Sequence, residues 1–178
     1  MRATVLSLLF VPLIGCAPPA PRETADLVDP SLFRILDADE DPFPTHRAAA
    51  KRLCTGPGFG EDLGVLDIDT NTCAYVSASQ PSLADAQPGD QLHLLAWHQA
   101  LASTDPDARG HMAVLLDGEV LWEIDVAIPA SAEVYESFFD VPELIPEGTD
   151  VVVHVHNHGG NTWRLGHLRA VPPEDQAP

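Results

Sequence analysis

Alternating apolar and polar residues dominate the chain after residue 60, where short runs of them are separated by turn-forming sequences. Successive side chains of a β-strand point to opposite faces, so this alternation predicts half-buried strands. The predicted strands are 64–68, 73–77, 91–98, 111–116, 119–126, 133–141, 151–156 and 162–170. Asp117-Gly118, which lies between two of these runs, is a strong hairpin signal.

Only the segment 44–53 favours a helix, because it is rich in alanine and has Thr45 as a candidate N-cap. Eight short strands with almost no helix predict an all-β domain, an antiparallel β-sandwich with one short N-terminal helix. A jelly roll is the favoured topology, and a mixed α+β domain is the alternative. The expected organisation is a signal segment at 1–15, a proline-rich tether and extended lead-in at 16–43, the sandwich domain at 44–171 and a disordered tail at 172–178.

The leader has the layout of an export signal, with Arg2, a short apolar run and the small residue Gly15. This apolar run is shorter than the roughly 20 residues that a membrane-spanning helix needs. A buried core helix is the alternative, and Pro12 argues against it.

Leu13-Ile14-Gly15-Cys16 resembles the lipobox of bacterial lipoproteins. In that family the cysteine thiol receives a diacylglyceryl group, the signal is cleaved before the cysteine, and the new amino terminus is acylated, commonly with palmitate. The resemblance implies a lipid-modified Cys16 that anchors the protein to a membrane of the cell envelope. Ala17, rather than aspartate, follows the cysteine, and this choice favours the outer membrane over the inner membrane.

The net charge of −18 excludes nucleic acid as a partner, because such a surface repels phosphate backbones. It also disfavours electrostatic adhesion to anionic lipids, which leaves the acyl anchor as the expected membrane attachment. With Cys16 assigned to lipid, Cys54 and Cys73 remain as a pair in an exported chain and predict a disulfide. The bond would close a loop of about 20 residues and stabilise the fold by roughly 3 kcal/mol. Zinc ligation by the two thiols is the alternative.

Histidines are concentrated near the end of the chain, in the segment 151–158. On a strand, His154 and His156 share one face, and two imidazoles at this spacing can hold one metal ion. His111 and His98 are the candidates for a third ligand, and zinc or copper is the expected ion. The alternative is that these histidines form hydrogen bonds with neighbouring strands or face water.

Gly148, five further residues and His154-Val155-His156 resemble the opening of the first motif of the cupins. Asn161 stands about where that family has a glutamate. The resemblance covers about a dozen residues and implies a metal site, with or without cupin-like catalysis.

The tryptophans Trp97, Trp122 and Trp163 suggest a different function. In gross composition and expected architecture the chain resembles jelly-roll carbohydrate-binding modules, which stack sugar rings on exposed aromatic side chains. Alternation with apolar neighbours predicts that Trp97 and Trp122 pack inside the domain. Trp163 follows a polar loop and is the candidate ligand-facing ring.

The loop that precedes Trp163 offers polar side chains for the same ligand, from Asn157, His158 and Asn161. Asparagine and glycine tolerate positive φ, so the alternative is that this loop only shapes the connection between the last two strands. The chain has no GxSxG, SxxK or HExxH motif, and enzymatic activity is therefore not favoured. The leading hypothesis is a lipid-anchored, non-catalytic binding module for a glycan, a cell-wall fragment or an envelope protein. A periplasmic zinc- or copper-binding protein is the alternative.

Overall fold

The computed structural model describes residues 22–173. Its helical elements are a 3-10 turn at Pro30–Leu32 and one short helix, α1 (Pro44–Ala49). The strands are β1 (Ala25–Asp26), β2 (Arg34–Ile35), β3 (Phe59–Asp62), β4 (Val65–Asp69), β5 (Tyr75–Pro81), β6 (Gln91–His98), β7 (Arg109–Leu116), β8 (Glu119–Ala127), β9 (Glu133–Asp140), β10 (Asp150–Asn157) and β11 (Thr162–Val171). Within this range no helix has both the length and the apolar composition that crossing a bilayer requires.

The strands form two antiparallel sheets packed face to face. The first sheet has the order β3-β4-β11-β6-β9, with β1 added beside β11, and the second has the order β2-β5-β10-β7-β8. From β4 onward, consecutive strands alternate between the sheets except where the β7–β8 hairpin stays in the second sheet. The eight strands β4 to β11 thus follow jelly-roll topology, and the predicted sandwich is confirmed.

Strand alternation explains how the core is filled. On β10 the valines Val151, Val153 and Val155 point inward and join the apolar residues of the first sheet in one buried cluster. The other face of β10 is also buried, although it points away from the core. This second, outer face is the one that carries His154 and His156.

The outer face is covered by the N-terminal arm, which we define as residues 22–50. Leu27, Val28 and Phe33 of the arm enter the core between the sheets, whereas Leu36 packs on the outer face of the second sheet. Within the expected lead-in, the arm thus has apolar side chains that bury against the sandwich. The signal segment, Cys16 and residues 174–178 lie outside the described residues.

Helix α1 is shorter than expected and begins differently. It ends at Ala49, and Phe43 rather than Thr45 occupies the N-cap position, with no side-chain cap. Pro44 explains the change, because proline suits the first helical position, where no backbone N–H donor is needed. Cys54 and Cys73 form the predicted disulfide. This bond ties the segment after α1 to the start of β5.

Candidate metal centre

Three imidazoles from three separate elements converge beneath the arm. His154 lies on the outer face of β10, His111 lies on the outer face of β7, and α1 places His46 above them. One ring nitrogen from each of these three residues lies within 4.8 Å of the other two. His154 and His111 belong to the predicted metal-ligand set, whereas His46 was not anticipated from the sequence.

His154 is held in one orientation by its neighbours. Its side chain is fully buried, and the Phe43 ring stacks on it with the ring centroids 4.0 Å apart. Nδ1 lies 3.0 Å from Ser77 Oγ, and that hydroxyl donates its proton to Asp41 Oδ1 over 2.8 Å. Ser77 Oγ must therefore accept the Nδ1–H of His154, which leaves Nε2 unprotonated. This lone pair faces His46 Nδ1 at 3.1 Å.

His111 is oriented from the opposite side. Its Nε2 lies 3.3 Å from Glu123 Oε2, a contact of the kind by which carboxylates orient metal-binding imidazoles. Its Nδ1 is buried and has no hydrogen-bond partner among residues 22–173. A buried nitrogen without a partner is costly, and a bound cation would satisfy it.

The electrostatic environment favours the neutral form of His46, His154 and the neighbouring His156. Burial, together with the smaller effect of the adjacent His111 and His46, lowers the pKa of His154 to about 2. Burial also lowers the pKa of His46, again assisted by His111. For His156, burial followed by the proximity of His158 lowers the pKa to about 4. Neutral imidazole is the form that binds a metal ion.

The distance between His46 and His154 suits a transition metal. Two nitrogens that each lie about 2.0–2.1 Å from a tetrahedral zinc ion are about 3.3 Å apart, close to the separation between His46 and His154. Imidazole donors suit zinc and copper. Three protein ligands leave one coordination position free, and a cleft of about 690 Å³ adjoins the cluster. Glu123, Asp125 and Arg109 are part of its walls.

The placement of His98 corrects one expectation. His98 lies on β6 in the other sheet, where its Nδ1 contacts Gln99 O at 2.8 Å and its Nε2 contacts Tyr135 Oη at 3.0 Å. The ring also packs against Trp163. The prediction of His98 as a metal ligand is wrong, because the thickness of the sandwich separates it from the cluster and both of its ring nitrogens have other partners.

His156 lies on the predicted face of β10, but its ring nitrogen contacts His158 rather than the three-histidine cluster. Its Nε2 lies 3.2 Å from His158 Nε2, and its ring centroid is 5.2 Å from that of His46. His156 thus adjoins the cluster without belonging to the three converging nitrogens. His158 is exposed and lines the same cleft.

Trp163 and Asn157, two of the four residues expected to bind a glycan, are buried and have structural roles instead. Trp163 has 0% of its surface exposed, so its prediction as a ligand-facing ring is wrong. Its ring fills the core, and the alternation of Trp163 with Leu165 along β11 was the signal for this placement. Asn157 is buried, and its Nδ2 donates to Thr70 Oγ1 and to Gly159 O.

Asn161 likewise serves the shape of its loop. It has a φ of 117°, and its Nδ2 donates to Ala100 O over 2.7 Å. The amide group thereby connects two loops at one end of the sandwich. The alternative, a loop-shaping role, therefore describes Asn157. Asn161 also shapes its loop, but it lines a surface cleft together with His158.

Comparison with known proteins gives only distant structural similarity. No family model and no curated protein matches the chain. A solved CBM4 structure is similar with a TM-score of 0.43 at 13% identity, covering 81% of this chain and 88% of that one. A family 35 carbohydrate-binding module from Clostridium thermocellum has a TM-score of 0.33 at 11% identity, covering 67% and 85%.

A CBM35 from Paenibacillus barcinonensis has a TM-score of 0.34 at 8% identity, covering 84% of this chain and 98% of that one. Carbohydrate-binding modules are thus among the structural neighbours of this chain. At these identities and TM-scores the similarity concerns the sandwich fold and carries no argument about the ligand.

Proposed function

We propose that this protein binds a zinc or copper ion through His46, His111 and His154. The observation that carries the proposal is the convergence of three ring nitrogens within 4.8 Å of one another. The fixed orientation of His154 and the unpartnered Nδ1 of His111 support it, because both leave a lone pair for an ion. Two of these ligands stand on neighbouring strands of one sheet, so the arrangement is preorganised.

The surroundings of the site favour capture of a cation from solution. The formal charge of the chain is −18, which raises the local concentration of cations around it. Glu123 and Asp125 add carboxylates to the adjoining cleft. The free coordination position leaves the ion open to exchange with an incoming ligand. We therefore assign the protein a role in metal acquisition or delivery rather than in permanent structural binding.

The test compares metal binding by matched variants of the tag-free protein. Zinc chloride and copper chloride are titrated separately by calorimetry into wild-type protein, His46→Ala and Thr45→Ala. His46→Ala removes a ligand from a helix that tolerates alanine, whereas Thr45 is the exposed preceding residue of the same helix. We expect at least about a tenfold loss of affinity in His46→Ala and unchanged affinity in Thr45→Ala.

Two results would contradict the metal proposal. One is wild-type protein that takes up neither ion, and the other is equal affinity in wild-type protein and His46→Ala. Circular dichroism and thermal unfolding of both variants check that the fold is retained.

The cellular setting is the second part of the proposal, namely attachment to the envelope through a lipid on Cys16. The Cys54–Cys73 disulfide supports export, because such bonds persist in oxidising compartments. We expect wild-type protein from membranes to enter the detergent phase of a Triton X-114 separation, and Cys16→Ser to remain in the aqueous phase. Equal partitioning of the two proteins would remove the lipid anchor from the proposal.

A second candidate function, glycan binding, is supported by another cleft rather than by tryptophan. This cleft has a volume of about 700 Å³ and includes the polar residues Asn71, Ser103 and Thr104 in its lining. Their hydroxyl and amide groups are suited to hydrogen bonds with sugar hydroxyls. We would measure retardation in gels containing soluble polysaccharides, comparing wild-type protein with Thr104→Ala. Retardation that is equal in both proteins would exclude this cleft as the binding site.

A further inference from the structure

The pair formed by His156 and His158 has no role in the three-histidine site. Their Nε2 atoms are 3.2 Å apart, and the rings are nearly perpendicular, with an interplanar angle of 86°. His158 is exposed, whereas His156 is buried except for 8% of its surface. The pair therefore links the open cleft to the interior of the site.

We infer that His156 and His158 form an outer metal site that receives the ion from solvent and passes it to His46, His111 and His154. The inference rests on the proposed function, because an outer site of this kind requires an inner one. The Nε2–Nε2 distance of 3.2 Å is close to the roughly 3.3 Å between two nitrogens of a tetrahedral zinc site. Water and the carboxylates of the cleft complete the coordination.

The geometry provides a path between the two sites. The ring centroids of His156 and His46 are 5.2 Å apart, and His46 Nδ1 lies 3.1 Å from His154 Nε2. Imidazoles therefore follow one another from the exposed His158 to the fully buried His154. An ion can exchange one ligand at a time along this series, and it is never left without protein ligands in a low-dielectric interior.

The path begins at the open side of the cluster. Phe43 stacks over His154, and α1 covers the outer face of the sheet, so direct approach from solvent to His154 is blocked. The cleft is lined by His156 and His158 together with His46 and His111, so an ion that enters it meets the outer pair beside two ligands of the inner site. An ion held there is at an effective concentration in the millimolar range relative to the inner site, which accelerates transfer.

The outer site should bind more weakly than the inner one, because it has two imidazoles instead of three and is open to water. Titration of the wild-type protein with zinc chloride should therefore show a tight step followed by a weak step. His158→Ala should remove the weak step and retain the tight one. Because His158 is exposed, this substitution leaves the core packing intact.

Kinetics give the decisive test. Zinc loading and chelator-driven zinc release are followed by stopped flow in wild-type protein, His158→Ala and the control Gln99→Ala, which removes an exposed polar side chain that is not an imidazole. We expect His158→Ala to slow loading and release together by about tenfold or more, with the Kd of the tight step unchanged. Gln99→Ala should match the wild-type protein.

The outcomes separate this inference from the proposed function. Wild-type protein that binds neither zinc nor copper would overturn both. If the protein binds copper alone, the same titrations and kinetics are run with copper chloride. Tight binding in His158→Ala with wild-type loading and release rates, or a wild-type titration without a weak step, would overturn the outer site alone.

Discussion

Replacing Asp41 with alanine tests how the arm that carries His46 is held on the sheet. The Asp41 carboxylate accepts hydrogen bonds from Tyr75 Oη at 2.5 Å, Ser77 Oγ at 2.8 Å, Arg47 Nη1 at 2.8 Å and Phe43 N at 2.9 Å. Tyr75 and Ser77 belong to β5, whereas the other two donors belong to the arm. One carboxylate therefore joins the arm to the sheet.

The expected loss of stability follows from the burial of Asp41 and its partners. Removing one partner of a buried ion pair costs about 3–5 kcal/mol. The Asp41 side chain is fully buried, but Arg47 is 21% exposed and can regain some hydration, so the lower end of this range applies. We expect Asp41→Ala to lower the free energy of unfolding by about 3 kcal/mol. For a domain of this size the melting temperature should fall by roughly 6–12 °C.

Urea denaturation of Asp41→Ala and Asp39→Ala measures the effect. Asp39 is exposed and lies on the same segment, so it controls for the loss of one negative charge. Zinc affinity should fall in Asp41→Ala as well, because the arm positions His46. Unfolding free energies of the two variants that agree within about 1 kcal/mol would refute the reasoning.

Because Asp41 is ionisable, we also expect its contribution to the stability of the fold to depend on pH. Burial raises the pKa of Asp41, but hydrogen bonds from Tyr75, Phe43, Arg47 and Ser77 lower it more, so the pKa lies below its ordinary value. A depressed pKa in the folded state stabilises the protein above the unfolded pKa of about 3.9, and this stabilisation is lost as the pH falls through the folded value. The difference in stability between wild-type protein and Asp41→Ala should therefore narrow below about pH 4. A difference that stayed constant from neutral to acidic pH would contradict this assignment.

Two further predictions concern the sandwich itself. A Cβ on Gly110 would lie 2.5 Å from Asn157 Oδ1 and 2.8 Å from Trp163 Cζ2, so Gly110→Ala should destabilise the fold by about 1–3 kcal/mol in urea denaturation. An unfolding midpoint equal to that of the wild-type protein would show that the core relaxes freely at this position. Replacing both Cys54 and Cys73 with serine should cost about 3 kcal/mol, because the bond closes a loop of 19-residue separation. Thermal unfolding with and without reductant checks this value, and reductant should leave the double variant unaffected.

The sequence was sufficient to predict the eight strands of the jelly roll, because alternation of apolar and polar residues is a local property of each strand. β4 to β11 match the eight predicted runs, with differences of a few residues at their ends. β1, β2 and β3 were missed, since two to four residues are too few to establish an alternating period. Their pairing depends on tertiary contacts instead.

Strand alternation also predicted that His154 and His156 lie on the same face of β10. It could not predict the role of His46. His46 lies in a short helix that is placed by contacts distant in sequence. Leu36 and Phe43, for example, pack near Val152 on the outer face of the second sheet. The sequence did contain one indication that the outer face of β10 is covered. The consecutive valines 151–153 make both faces of this strand apolar, which is typical of a strand buried on both sides.

The acidic side chains at the edges of the two sheets affect how readily the protein aggregates in solution. Among residues 22–173, the second sheet ends at β8 and the first at β9, and no further strand of this range pairs with the outer edge of either. Both also carry carboxylates, which are Glu119, Glu123 and Asp125 on β8 and Glu133, Glu136 and Asp140 on β9. At neutral pH, like charges keep the edge of another chain from adding to the sheet. Protonation near the isoelectric point of about 4.4 removes this protection, and acidified solutions should therefore favour strand-to-strand aggregation.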